Sequence, residues 1–386
     1  MAALRAPPMT VQGDRAGHRL VPPRMFSEFI PRSGLAALAC ACLAACSPDY
    51  VLRGGWEEAK ILSDRRPIEE VVADPATEPE VREKLLLVRD ARVFAQRQLG
   101  LDPAKSFTGY ARLDSDTLVL VVSAAPELEL RWKTWWFPIV GRLPYKGFFQ
   151  FDKAHDQAEK LEADGYDVYV RPSSAFSTLG WLPDPILSPS LREDSIGLVE
   201  TVIHEITHTT YFPKGQARFN ESFANFVGWR GSIEFFCDAL ADAERCVAAE
   251  SRWRDMRVFG RFFNSVAEPL QELYASGRPE SELRAGKQRI FDEAAIRFDD
   301  EVRPQLVSGR YLALDPEQLN NAWVLSRILY YTRLDDFETL YERHPDLRST
   351  VAALIEKAGS GDPWEALDAL LEESSDMPRA EVVDGD

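Results

Sequence analysis

The stretch Val199-Glu200-Thr201-Val202-Ile203-His204-Glu205-Ile206-Thr207-His208, followed by Phe219-Asn220-Glu221-Ser222-Phe223-Ala224, decides how the rest of the chain is read. The first segment is apolar at helical spacing. It follows Asp194-Ser195, either of which can cap a helix by accepting from a free amide of the first turn. Side chains four apart on a helix differ by about 40° in azimuth and one turn in height, so the imidazoles of His204 and His208 can converge on one ion. Glu205 then points to the adjacent face, beside the open position of the metal. A catalytic zinc takes three protein ligands and a water, and two histidines leave one ligand to find. Glu221 can supply it. Residues 209–219, with Pro213 and Gly215 as breakers, are enough to turn the chain back so that a second helix faces the first. A buried histidine pair or a closed structural zinc is the plainer alternative. Structural zinc favours four Cys or His ligands, however, and no cysteine lies near the motif.

These two segments, His204 to His208 and Asn220 to Ala224, resemble the metal motif of the thermolysin-related gluzincin metallopeptidases. The chain is more closely similar to a bacterial family described as aminopeptidases and often made of lipoproteins. The similarity runs from about Tyr50 to at least Glu338. It passes through Ala124-Ala125-Pro126-Glu127, Phe137-Pro138-Ile139-Val140-Gly141, Ser177-Thr178-Leu179-Gly180-Trp181 and Leu319-Asn320-Asn321-Ala322. The resemblance implies a gluzincin fold, a Zn2+ cofactor and hydrolysis at peptide N-termini.

In the chemistry so implied, zinc polarises a water, and Glu205 takes its proton as general base and later returns it to the leaving amine. The tetrahedral oxyanion needs a second donor, commonly Tyr or His. His155 and His344 sit in polar contexts. Tyr330 is chosen because it lies on the helical segment that carries the resemblance, with Tyr331 and Tyr211 as rivals. Asn220 or Asn225 could fix an imidazole tautomer by accepting its N–H. An aminopeptidase also needs an acid for the substrate ammonium group. Glu127 is the candidate, near a strand whose edge could pair with an extended peptide. The chain lacks the Gly-x-Met-Glu-Asn exopeptidase motif, so an endopeptidase or oligopeptidase with the same metal site stays open. So does a non-catalytic envelope-assembly lipoprotein on the same scaffold, although the presence of Glu205 favours turnover.

Composition sets the outer limits. With 45% hydrophobic and 28% charged residues, the 386-residue chain is expected to fold rather than stay disordered. Its formal charge of −17 repels phosphate backbones, and nucleic acid is therefore not an expected partner. Arg32 precedes an apolar run, Leu35 to Ala45, which ends in Leu43-Ala44-Ala45-Cys46. A run of this length is too short to span a bilayer and reads as a secretory leader, residues 1–45. The cut resembles that of bacterial lipoproteins, with Cys46 lipidated. Ser47 after it implies the periplasmic face of the outer membrane. Residues 1–24 have no pattern, and a start at Met25 would give a more compact leader. Cys237 and Cys246 are then the two remaining cysteines. Nine residues of unbroken helix would separate their Cα atoms by roughly 13 Å, so a disulfide between them requires a turn; two free thiols are the alternative.

The expected fold is α+β and predominantly helical: a zincin-like core with a small mixed sheet, a helical N-terminal piece and a helical C-terminal lobe. Thr77 with Glu80 suggests a capping box. Val81, Leu85, Val88, Ala95 and Leu99 follow at helical spacing until Gly100. Strands are expected at 117–123, 147–151 and 167–170, with a helix over 152–163 between the last two. Residues 173–190, including Trp181, read as an ordered loop. Helices are expected over 233–257, 259–276, 279–302 and 315–333. The peptidase unit is expected to span 46–373, with its α+β part at about 105–230 and the helical lobe at about 231–373, before an acidic tail at 374–386.

Overall fold

Apolar residues at helical spacing after Thr77 lead the chain into its first long helix. The computed structural model describes residues 61–113, 115–137, 141–173, 184–309, 314 and 316–375. The expected leader, Cys46, Pro138 to Val140, the segment 174–183 with Trp181, and the tail from 376 lie outside the described residues. Strand β1 (Arg66–Pro67) and helix α1 (Ile68–Ala73) precede α2 (Pro79–Arg97), which buries Leu85, Val88, Ala91 and Ala95. The expected capping box does not form. The Thr77 hydroxyl donates to the Val71 carbonyl at 2.6 Å, and Glu78 is an N-cap without a side-chain bond. Pro79 in the first turn has no N–H to satisfy, which lessens the need for a cap.

The middle of the chain comprises β2 (Gly109–Ala111), β3 (Val119–Pro126), the hairpin β4 (Trp135–Phe137) and β5 (Gly141–Leu143), β6 (Tyr145–Phe148), α3 (Phe151–Ala163), β7 (Tyr166–Ser173) and β8 (Ile186–Leu187). The three expected strands form one sheet in the order β6-β3-β7, antiparallel throughout rather than mixed. A separate small sheet, β1-β2-β8, is the mixed one. The strand leading to Glu127 is therefore central and not an edge, which corrects the expectation that it could take up a peptide. Its residues explain the placement, because Val122, Ala124 and Ala125 are fully buried although they face opposite ways. Val122 and Ala124 pack with Val168 and Val170 beneath Ala154 and Leu161 of α3. By strand alternation, Val121, Ser123 and Ala125 look the other way, with Tyr145 on β6 and Asp167, Tyr169 and Arg171 on β7.

The remainder is helical: α4 (Ser195–Thr210), α5 (Ala217–Glu234), α6 (Ala243–Ala275), α7 (Glu280–Arg297), α8 (Asn321–Tyr331), α9 (Leu334–Glu342), α10 (Leu347–Ala358) and α11 (Pro363–Ser375). The helices expected at 233–257 and 259–276 are in fact one 33-residue helix, α6, held through Pro269 by burial of Val266, Ala267 and Leu270. The break falls earlier. α5 runs into a π-helical turn, Phe235–Ala239, and Asp242 caps α6 by accepting from the Arg245 amide at 3.1 Å. Ala241 takes a positive φ of 51° in this reversal. The turn brings the Cα atoms of Cys237 and Cys246 to 4.8 Å, and the two sulfurs are joined as a disulfide.

The main core gathers α2, α4, α5 and α9 to α11 around a cluster of rings. Phe219 stacks on Phe223 and Phe226 on Phe337, each pair at 5.3 Å between centroids. Trp364 closes the cluster against Phe219 and Phe337. Phe337 is fully buried, and truncating it leaves a cavity that rigid neighbouring rings cannot fill. Phe337→Ala is expected to cost about 3–5 kcal/mol in urea unfolding. A loss below about 1 kcal/mol would mean that this cluster does not hold the two halves of the helical core together.

Candidate metal centre

Helix α4 starts where Asp194 accepts from the amides of Ile196 at 3.1 Å and Gly197 at 3.0 Å. Its apolar face, including Leu198, Val202, Ile203 and Ile206, is buried. Helix α5 crosses it at short range because it presents glycines there. A Cβ at Gly228 would lie 3.1 Å from the Glu200 carbonyl oxygen and 3.2 Å from the His204 Cβ. At Gly231 it would meet the Ile203 side chain at 3.0 Å. Gly228 lies two turns beyond Glu221, so the glycine that permits the approach and the carboxylate that uses it share one face of α5.

Three ligand atoms meet in the gap. His204 Nε2 and His208 Nε2 are 3.2 Å apart, and Glu221 Oε2 lies 3.5 Å from the first and 3.6 Å from the second. A tetrahedral ion with bonds of about 2.0–2.1 Å separates its ligand atoms by about 3.3 Å, so the triangle has the size of one face of such a site. The side chains are only 12%, 6% and 12% exposed, respectively, and little water competes for them. Burial by itself would lower the basicity of His204, but the carboxylates of Glu200 and Glu221 outweigh it and hold the imidazole well above its usual value. Burial likewise opposes the charge on Glu221, yet the two imidazoles keep it well below the usual carboxylate range. The cluster is thus organised to hold positive charge, and its two nitrogens and one oxygen suit a divalent ion of borderline softness.

Glu200 stands 3.6 Å from His204 Nδ1, on the side away from the cluster, where its charge attracts an Nδ1 proton and favours the ring with Nε2 inward. Asn220 and Asn225, expected to accept an imidazole N–H, make no such bond among the described residues; their amide nitrogens donate to the Pro213 carbonyl at 3.0 Å and to the Tyr330 carbonyl at 2.9 Å. His208 Nδ1 and Asn220 Oδ1 are buried with no hydrogen-bond partner among the described residues. Glu205, one residue on from His204, has its pKa raised, first by burial, with Glu221 and Asp184 adding to the effect against the pull of the imidazoles. A carboxyl held more basic than usual suits a group that must accept a proton.

Tyr330 of α8 reaches the cluster, its ring 6.4 Å from that of His204, and Arg171 Nη2 of β7 donates to its hydroxyl at 3.0 Å. The rivals lie elsewhere. Tyr331 stacks on Phe263 of α6, and Tyr211 packs edge-on to Phe219 and Phe223. His344 bonds the Leu340 carbonyl, and His155 belongs to α3. Glu127 pairs its carboxylate with Arg284 of α7, not with any member of the cluster. Three residues near the centre escaped the sequence reading: Glu200, Arg171 and Tyr145. Glu200 was findable, one turn before His204 on the same face. Burial, Glu221 and Tyr330 together push the Tyr145 hydroxyl well up, and it comes from the strand on the opposite side of β3 from Arg171.

A family model described as "Putative aminopeptidase" matches residues 49–361, a span that includes the sheet, both motif helices and α8. No curated protein and no solved structure matches. Gly228→Ala forces α4 and α5 apart by a few tenths of an ångström, so it is expected to destabilise the fold by about 1–3 kcal/mol and to weaken divalent-metal binding at least about tenfold. Chelator competition together with urea unfolding measures both. Wild-type metal affinity in this variant would show that helix spacing does not set the ligand geometry.

Proposed function

The chain belongs to the putative aminopeptidase family, and on that premise we propose that it is a zinc-dependent peptidase of the gluzincin type, acting as an aminopeptidase. Membership of the family supports peptide hydrolysis. The proposal of zinc rests on one observation above the others: two imidazole nitrogens and a carboxylate oxygen converge at 3.2–3.6 Å from two facing helices, with Glu205 next to them. His204, His208 and Glu221 are the proposed ligands. When bound, zinc would supply Lewis acidity, lowering the pKa of water and polarising the scissile carbonyl.

The protein's own groups do the rest. Glu205 accepts the proton of the attacking water and returns it to the departing amine, so the carboxyl ends each cycle ionised. The Tyr330 hydroxyl donates to the oxyanion of the tetrahedral intermediate. Glu200 keeps the His204 ring in the orientation that directs Nε2 inward. Recognition of a substrate N-terminus by Glu127 would require the ammonium group to displace Arg284 from its carboxylate. That existing pair favours, as a second reading, an endopeptidase that needs no ammonium anchor. For location we propose export and lipid attachment at Cys46, on the periplasmic face of the outer membrane, supported by the apolar run Leu35 to Ala45 and Ser47.

Metal content and peptide hydrolysis in three proteins test the chemistry. Glu205→Gln is expected to keep zinc and lose turnover by about a thousandfold or more, and Glu221→Gln to lose zinc affinity. Undiminished hydrolysis by Glu205→Gln would remove the proposed base. The product ladder from a defined peptide separates the two specificities: stepwise loss of N-terminal residues supports the aminopeptidase, and internal cuts refute it. Since His204 is held above its usual pKa, the metal-free site carries a proton at neutral pH, and zinc uptake should release it. Affinity should therefore fall as pH is lowered. Calorimetry in buffers of different ionisation enthalpy reads the released proton, and heats independent of buffer would contradict it.

A further inference from the structure

Strand alternation puts Asp167, Tyr169 and Arg171 of β7 on the face toward α8, and each meets that helix. Asp167 accepts from the Asn321 amide at 2.7 Å, the Tyr169 hydroxyl accepts from Arg327 at 3.0 Å, and Arg171 donates to the Tyr330 hydroxyl at 3.0 Å. The first rung is a rigid anchor, because Lys287 of α7 also clasps the Asp167 carboxylate at 2.6 Å. The third rung ends at the metal cluster.

Arg171 is unusual for this chain. Among 62 acidic residues in the sequence, none of those described forms an ion pair with it; its hydrogen-bond partner is a phenol. The guanidinium also lies over the Tyr330 ring, 5.7 Å from its centroid, so both of its contacts with α8 are to that one side chain. The geometry of the pair suggests what it does. A guanidinium has only donors, so in this bond Tyr330 must be the acceptor. Its single O–H proton is left to point elsewhere. The adjoining positive charge also withdraws electron density from the phenol oxygen and makes that proton a stronger donor. The ring itself lies against His204, whose Nε2 faces the cluster.

We propose that Arg171 is the positioning residue for Tyr330: by occupying the acceptor side of the phenol, it directs the hydroxyl proton to the oxyanion that forms at the scissile carbonyl. This rests on the peptidase reading. Arg171 touches no reacting atom itself. Its effect must therefore pass through Tyr330, and this separates it from a residue that binds a substrate carboxylate or only supports the sheet.

The test is a double-mutant cycle on the zinc-loaded mature chain with a peptide that the wild type cleaves, using Arg171→Gln, Tyr330→Phe and the double variant. Arg171→Gln is expected to lower kcat by about 10- to 100-fold with KM within about threefold. Once Tyr330→Phe has removed the hydroxyl, losing Arg171 should cost nothing further. Arg171→Lys should restore part of the loss. A phosphinic peptide that mimics the tetrahedral intermediate should bind more weakly by the same factor in calorimetry, with zinc content unchanged. Losses that multiply in the double variant would overturn the proposal. So would a KM effect without a kcat effect, which would make Arg171 a substrate-anion binder, or loss of zinc or thermal stability in step with activity. A zinc-loaded wild type that cleaves no peptide would overturn the peptidase reading itself, and this proposal with it.

Discussion

The separation of α4 from α5 is the constraint on which the site depends. It is set by what the two helices lack at the crossing: Gly228 and Gly231 let the backbone of α5 approach Glu200, Ile203 and His204 to distances that a methyl group would not allow. Only at that spacing do Nε2 atoms from one helix and a carboxylate from the other form a triangle with sides of 3.2–3.6 Å. The buried rings beneath, Phe219, Phe223, Phe226 and Phe337, resist any relaxation of that distance, because close-packed interiors yield little. The two glycines and the aromatic cluster thus act as one device, the first permitting the approach and the second fixing it.

The other wall of the site comes from a different part of the chain and depends on register. A one-residue slip in the pairing of β7 with β3 would turn Arg171 toward α3 and bring Val170 to the site. Asp167 prevents the slip by accepting from the start of α8, with Lys287 bonded to the same carboxylate. The Asn321 side chain adds bonds to the carbonyls of Pro126 and Glu127 at 3.0 Å each. Glu127, expected to meet substrate, stands instead at a corner of this framework, with its carbonyl bound by Asn321 and Lys287 and its carboxylate by Arg284.

How far the sequence could be read depended on the range of the interactions. The convergence of His204, His208 and Glu221 was legible because both histidines lie on one helix and Glu221 on the next, so helical geometry and one short turn suffice to relate them. The long helices were legible for the same reason. Thr77 misled because local capping logic competes with tertiary packing, and its hydroxyl found the Val71 carbonyl of the preceding helix. The turn between Cys237 and Cys246 was hidden because no Gly or Pro marks it; Ala241 takes the left-handed conformation there. Arg171 and Tyr145 carry no local signal at all, since only the pairing of three strands places them on the face toward α8. Sheet order is likewise non-local, which is why β3 was expected at an edge and lies in the centre.

The proposed peptidase therefore unites a helix pair proposed to bind metal, fixed by local sequence, with the pair Arg171 and Tyr330, proposed as donors and fixed by sheet register. Such a peptidase requires His204, His208 and Glu221 to bind one ion together, leaving a position for water. X-ray absorption at the zinc edge of the metal-loaded chain tests this most directly. The expected spectrum has about four nitrogen or oxygen neighbours at about 2.0–2.1 Å with the multiple scattering of two imidazoles, and one oxygen ligand is altered in Glu221→Gln. Sulfur neighbours at about 2.3 Å, or a spectrum unchanged in that variant, would contradict it.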